Sequence, residues 1–139
     1  MNKRAQRNSI IRKIIRGVPY IVALALGALC TIYAIRLNKL KHDYVVTSAI
    51  ISSFSADYRG TGGTVSYEFR LEGKIHKGAT GYPDLNAEKA SSLIGKIFPL
   101  VYEKGKVNNN KILIFPDRFK PFNLSFPDSL EWVKSYSRY

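Results

Sequence analysis

Hydrophobic and polar positions divide this chain into one unbroken apolar run and a series of short alternating segments. No charge occurs between Arg16 and Arg36, and the intervening stretch, Gly17 to Ile35, reads VPYIVALALGALCTIYAI over most of its length. As a helix rising about 1.5 Å per residue it covers roughly 28 Å, close to the ~30 Å hydrocarbon core of a bilayer. Ile21, Val22, Leu24, Leu26, Leu29 and Ile32 point all round such a helix, which suits lipid on every side. A buried helix of a soluble domain would need far more protein around it than the hundred or so residues that follow. A cleaved signal peptide has a short basic lead, a 7–15-residue apolar core and a small-x-small exit. Here the lead and core are longer, and Ala34 has no small partner two residues earlier. Leu29 before Cys30 is also a poor lipoprotein site, so the expectation is an uncleaved anchor.

After the anchor the period changes. Arg36–Asp43 is a charged collar continuing the helix. Tyr44–Ala56 is rich in β-branched residues with apolar side chains on both faces, which predicts a long central strand. Three glycines between Asp57 and Gly63 predict a flexible turn; a phosphate-cradling loop would need a closing Gly-Lys-Ser/Thr and a following helix. Thr64–Glu72 alternates Val65, Tyr67, Phe69 and Leu71 with polar residues, the pattern of a strand with one buried face. Gly73-Lys74 turns the chain into a partner strand, Ile75–Thr80. A two-residue turn puts His76 on the Phe69 face, and a three-residue turn with a bulge puts Ile75 there. Gly78 allows a backbone or a large aromatic to come close.

Asn86–Ile94 predicts a short helix capped by Asn86, stopped by Gly95, with Ala90, Leu93 and Ile94 on one face. Lys96–Glu103 is a fourth strand in which Pro99 implies a late start or an edge. Gly105–Asn110 reads as a loop and Lys111–Phe115 as a fifth strand. Asp128 with Glu131 resembles a capping box opening a helix to about Ser137. Its Trp132, Tyr136 and Tyr139 form a stripe that either packs on the sheet or meets a partner. The expected fold class is α+β: one transmembrane helix, then an antiparallel sheet or small barrel of about five strands with a short helix and a carboxy-terminal helix. The expected divisions are 1–16, 17–36, 37–43 and 44–139.

Charge adds a direction. Lys3, Arg4, Arg7, Arg12, Lys13 and Arg16, with no acid among them, supply half of the net +12. Arg36, Lys39 and Lys41 follow the span, so the basic excess lies before it. The positive-inside rule then keeps the amino terminus in the cytoplasm and sends the domain out. Ile10, Ile11, Ile14 and Ile15 among these cations suit the anionic inner leaflet; the adjacent span explains the charge without nucleic acid. The only cysteine, Cys30, is in the span, which leaves the outer domain no disulfide and no thiolate zinc site.

The chemistry-bearing residues are sparse. His42 sits in the collar and His76 in a strand between Lys74 and Lys77. No Gly-x-Ser-x-Gly, His-Glu-x-x-His or Walker sequence is present. A Ser–Lys dyad needs only one serine and one desolvated lysine, residue types too common here to be informative. No catalytic, cofactor-binding or metal residue is therefore expected, and no cofactor.

Val65-x-Tyr67-x-Phe69, Gly73-Lys74, Gly78, Gly95-Lys96 and Val101-Tyr102 resemble a widespread bacterial family of unknown function, in which a transmembrane helix precedes a small β-domain. The similarity runs from about Val45 to Phe115. His76 stands where that family often has tyrosine, and Glu103-Lys104 replaces its Asp-Pro turn. The resemblance implies a fold and carries no catalytic residue with it. The function expected is a non-catalytic binding or scaffolding module of the bacterial envelope with a protein partner. The alternatives are an immunity-type protein that neutralises a toxin by binding, and a small membrane-bound hydrolase.

Overall fold

The computed structural model describes residues 3–58 and 61–137, with side chains from Val18 onward. The chain forms two compact units, Met1–Asn38 and Lys39–Tyr139. Helix α1 (Lys3–His42) runs through the first and ends in the second. Its segment Val18–His42 is long and apolar enough to cross a membrane, with mean hydropathy 2.1. Leu24 is 76% exposed and Tyr20 74%, as a helix with no protein covering it must be. Thr31 donates its hydroxyl to the Gly27 carbonyl at 2.9 Å, so this short polar side chain is satisfied within the helix.

The last turn of α1 belongs to the second unit. Leu40 is 3% exposed and lies in that unit's core. Strands β1 (Tyr44–Ala56), β2 (Gly63–Leu71), β3 (Lys74–Tyr82), β4 (Ile97–Glu103) and β5 (Lys106–Ile112) form one antiparallel sheet in the order β3-β2-β1-β4-β5. β1 is central, as its length and two apolar faces predict. The inward residues of β2 (Val65, Tyr67, Phe69) are buried while Thr64 and Arg70 are exposed.

The sheet curls until its edges β3 and β5 approach each other, and tyrosines join them. The Tyr82 hydroxyl donates to the Ile112 carbonyl at 2.6 Å and accepts from the Ile114 N–H at 3.2 Å. The Tyr67 hydroxyl donates to Asn110 Oδ1 at 2.8 Å and lies 3.1 Å from the Thr80 hydroxyl. Gly78 faces the Tyr67 ring and Asn110 so closely that an added Cβ would collide with both. The close approach expected at this glycine is to an aromatic.

Several boundaries differ from expectation. The β2–β3 turn is Glu72-Gly73, not Gly73-Lys74. Both residues have positive φ, 49° and 78°, which gives the two-residue primed turn matching strand twist. Phe69 therefore opposes His76. The segment Lys106–Asn110 is strand rather than loop. It follows the turn Lys104-Gly105 and then bulges, since Glu103 pairs with Lys106 but Tyr102 with Asn110. Asparagine side chains hold the bulge: Asn109 donates to Glu103 Oε2 at 2.6 Å and Asn110 to the Val107 carbonyl at 2.7 Å. Pro99 occupies an interior strand, yet its carbonyl accepts from Leu113 N at 2.7 Å. Its missing N–H therefore faces the side where β5 has left the ladder, and pairing with β1 is unaffected. The Asp57 carboxylate accepts from Thr61 N at 2.8 Å, and Gly62 packs against the Pro83 backbone, where a Cβ would come within 2.6 Å.

Below the sheet, α2 (Ala87–Ala90) is capped by Asn86, which accepts from Glu88 N and Lys89 N. A 3₁₀ turn Ser91–Leu93 and Gly95 at φ 80° end it. Ala90 and Leu93 are buried but Ile94 is 47% exposed, because the 3₁₀ turn rotates it outward. Helix α3 (Pro116–Phe119) leads into 3₁₀ turns Lys120–Phe122 and Asp128–Tyr136. The capping box does not form: Pro127 holds the cap position, and Glu131 pairs with Lys134 at 2.6 Å. Phe119, Phe122, Leu130 and Val133 are buried, so the tail is core.

Candidate interaction surface

The 3₁₀ period of three decides what the carboxy-terminal segment presents. Leu130 and Val133 eclipse one another and enter the core, and Trp132 turns to the neighbouring face. Trp132 is 41% exposed; its ring lies 6.1 Å from Phe98 and meets Tyr136 edge-on at 5.4 Å. Tyr136 is half-buried and stitched to α2. Its backbone carbonyl accepts from Asn86 N at 2.9 Å, its phenol oxygen accepts from Ser92 Oγ at 3.1 Å, and the Lys89 ammonium stands 5.9 Å over its ring. The structure thus brings Trp132 and Tyr136 together as a patch that both packs and shows. Tyr139 lies outside the described residues. So do the side chains of Lys3, Arg4, Arg7, Arg12, Lys13 and Arg16, whose backbone is helical.

A second surface escaped the sequence reading. On the outer face of the sheet Ile50 opposes Ile97 across β1 and β4, and Ile75 stands opposite Arg70 across β2 and β3. Ile50, Ile75 and Ile97 are 45%, 58% and 61% exposed. With Ser48, Glu68 and Arg70 they line an open groove of about 300 Å³. Its sequence signal is the presence of Val46 and Ile50 on the second face of β1, a pattern that also fits a covered central strand. The groove offers aliphatic contact flanked by a carboxylate and a guanidinium. That combination suits an apolar side chain with polar neighbours.

His76 stacks on Phe69 with ring centroids 5.5 Å apart, and His42 is exposed at the end of α1. Tyr67 and Tyr82 are held protonated above the ordinary tyrosine range, in both cases chiefly by burial. Their hydroxyls hydrogen-bond across the seam. Lys111 is held below the ordinary lysine range, first by burial and next by the Arg118 charge. Arg118 stands 5.1 Å over the Tyr82 ring, between Asp84 at 3.6 Å and Asp117 at 3.0 Å. Among the described residues no three of His, Cys, Asp and Glu come together as a metal would need. Family models, curated proteins and solved structures give no match to this chain.

Proposed function

We propose that this chain is a single-pass, membrane-anchored binding or scaffolding module of the bacterial envelope, without catalytic activity, with its amino terminus in the cytoplasm and its sheet domain outside. The excess of cations before the span supports the orientation, and the resemblance to a membrane-anchored β-domain family of unknown function supports the envelope. The observation that carries the binding reading is the exposed row of Ile50, Ile75 and Ile97 beside Glu68 and Arg70. Covering the part of these side chains still in water would gain about 25 cal/mol per Å². A protein partner presenting an apolar side chain is the chemistry they fit.

The test is a pulldown of the tagged full chain from detergent extract, compared with Ile50→Lys/Ile97→Lys and with Trp132→Ala. The first variant is expected to lose the partner and the second to keep it. A partner retained by the lysine variant and lost by Trp132→Ala would move the site to the aromatic patch. A toxin in place of an envelope protein would favour the immunity-type reading, which uses the same surface.

A further inference from the structure

We infer that the segment seated on the Ile50–Ile97 face is an extended stretch of a partner protein that carries an aliphatic residue and, two positions away, a carboxylate paired with Arg70. This rests on the binding reading above and adds to it the chemistry of the partner.

Strand register fixes the layout of that face. Ile97 on β4 opposes Ile50 on β1, Ile50 opposes Glu68 on β2, and Glu68 opposes Lys77 on β3, so these four form one row across the strands. In the next row Pro99 opposes Ser48, and Arg70 opposes Ile75. The aliphatics thus stand at the β4–β1 side of the first row and at the β3 end of the second. Ser48 between them is short, which leaves the hollow.

The two rows differ in charge. In the first, Lys77 Nζ lies 3.0 Å from Glu68 Oε1, so that carboxylate is already paired. In the second, Arg70 is exposed and lines the hollow, and its side chain has no hydrogen bond or ion pair among the described residues. Two positions outward along each strand from the lining residues, the charged neighbours are Glu72, Lys74, Lys77 and Lys96. Arg70, Lys74, Lys77 and Lys96 therefore stand against Glu68 and Glu72, an excess of cations around the groove.

The isoleucines and Arg70 line the same hollow and cannot be covered separately. A partner that removes Ile50, Ile75 and Ile97 from water removes Arg70 as well, and a guanidinium buried without a counter-charge is costly. The partner must bring an acceptor, and a carboxylate matches the two parallel N–H bonds of a guanidinium. Spacing sets where that carboxylate lies. Arg70 is one diagonal step from Ile50 on the neighbouring strand, a separation of about 7–8 Å. Residues i and i+2 of an extended chain point the same way and are about 6.6 Å apart. An aliphatic residue over Ile50 and Ile97 therefore places an aspartate or glutamate two positions away beside Arg70.

The test selects from a library of random peptides displayed on phage, with the full chain in phosphatidylcholine nanodiscs as bait and empty nanodiscs to remove lipid binders. Peptides that also bind Ile50→Lys/Ile97→Lys are discarded as binding elsewhere. The remainder is expected to be enriched in an aliphatic residue two positions from an acidic one. These peptides should bind Arg70→Glu about tenfold more weakly, the loss of one charge-assisted contact. Replacing the acid by lysine in the peptide should restore binding to Arg70→Glu, which also shows that this variant is folded. Groove-dependent peptides with no acidic preference, or with equal affinity for the parent and Arg70→Glu, overturn the inference and leave the aliphatic face as a binding site. If no selected peptide depends on Ile50 and Ile97, the binding reading falls and the inference falls with it.

Discussion

Gly78 and Glu72 show most plainly how single residues hold this sheet. A methyl at position 78 has nowhere to go, since the Tyr67 ring and the Asn110 carboxamide already occupy its place. Gly78→Ala is expected to cost about 1–3 kcal/mol by overpacking, with loss of the Tyr67–Asn110 hydrogen bond, measured by chemical denaturation. Glu72 sits at φ 49° in a primed turn whose first position favours asparagine. A left-handed conformation strains an L-residue with a long side chain more than asparagine. Glu72→Asn should therefore stabilise the domain by roughly 0.5–1 kcal/mol, and an unchanged or lowered midpoint would show that the strain is not there.

Among the elements, legibility followed the range of the interactions that formed them. β2 was plain in the alternation of Val65, Tyr67 and Phe69, and the helix after Asn86 in its cap, because those signals act within a few residues. β5 was not, because Asn108, Asn109 and Asn110 carry turn propensity. They become strand only through partners such as Glu103 and Tyr67 that sequence distance conceals. Pro99 misled for a similar reason: its allowed place depends on where β5 leaves the ladder. The carboxy-terminal segment takes the 3₁₀ rather than the α form, and the capping box yields to the Glu131–Lys134 pair. The exposed aliphatic groove could not be read in advance, since β1 shows two apolar faces whether or not the second is covered. The tail's role is testable in pairs. Phe122→Ala, at a residue 2% exposed, should cost ~3–5 kcal/mol, and Trp132→Ala, at 41% exposure, clearly less. Equal costs would mean that the aromatic patch is core. The end of α1 offers a parallel comparison, because Leu40 is part of the domain core. A chain beginning at Lys39 should exceed one beginning at His42 by about 1.5–3 kcal/mol, the burial of one leucine.

For the molecule as a whole, the seam of tyrosines links stability to alkaline pH. Tyr67 and Tyr82 have folded pKa values raised above the value of 10.0 for a free phenol. Below pH 10 both states are protonated and stability is unaffected. Above it the unfolded chain releases phenolic protons that the folded chain keeps, so stability falls with rising pH by up to ~1.4 kcal/mol per unit for each tyrosine. Tyr82→Phe should weaken the fold at neutral pH through the orphaned Ile114 N–H and Ile112 carbonyl, by ~1–3 kcal/mol, and flatten that alkaline decline. A decline as steep as in the parent would show that Tyr82 ionises freely. The binding role is tested most directly by site-specific photocrosslinking in intact cells, with a photoreactive residue at Ile97 and, separately, at Trp132. A discrete crosslinked product from Ile97, abolished by Ile50→Lys, is the expected result. A product from Trp132 alone, or none from either position in cells where the protein is inserted, would contradict a partner seated on the Ile50–Ile97 face.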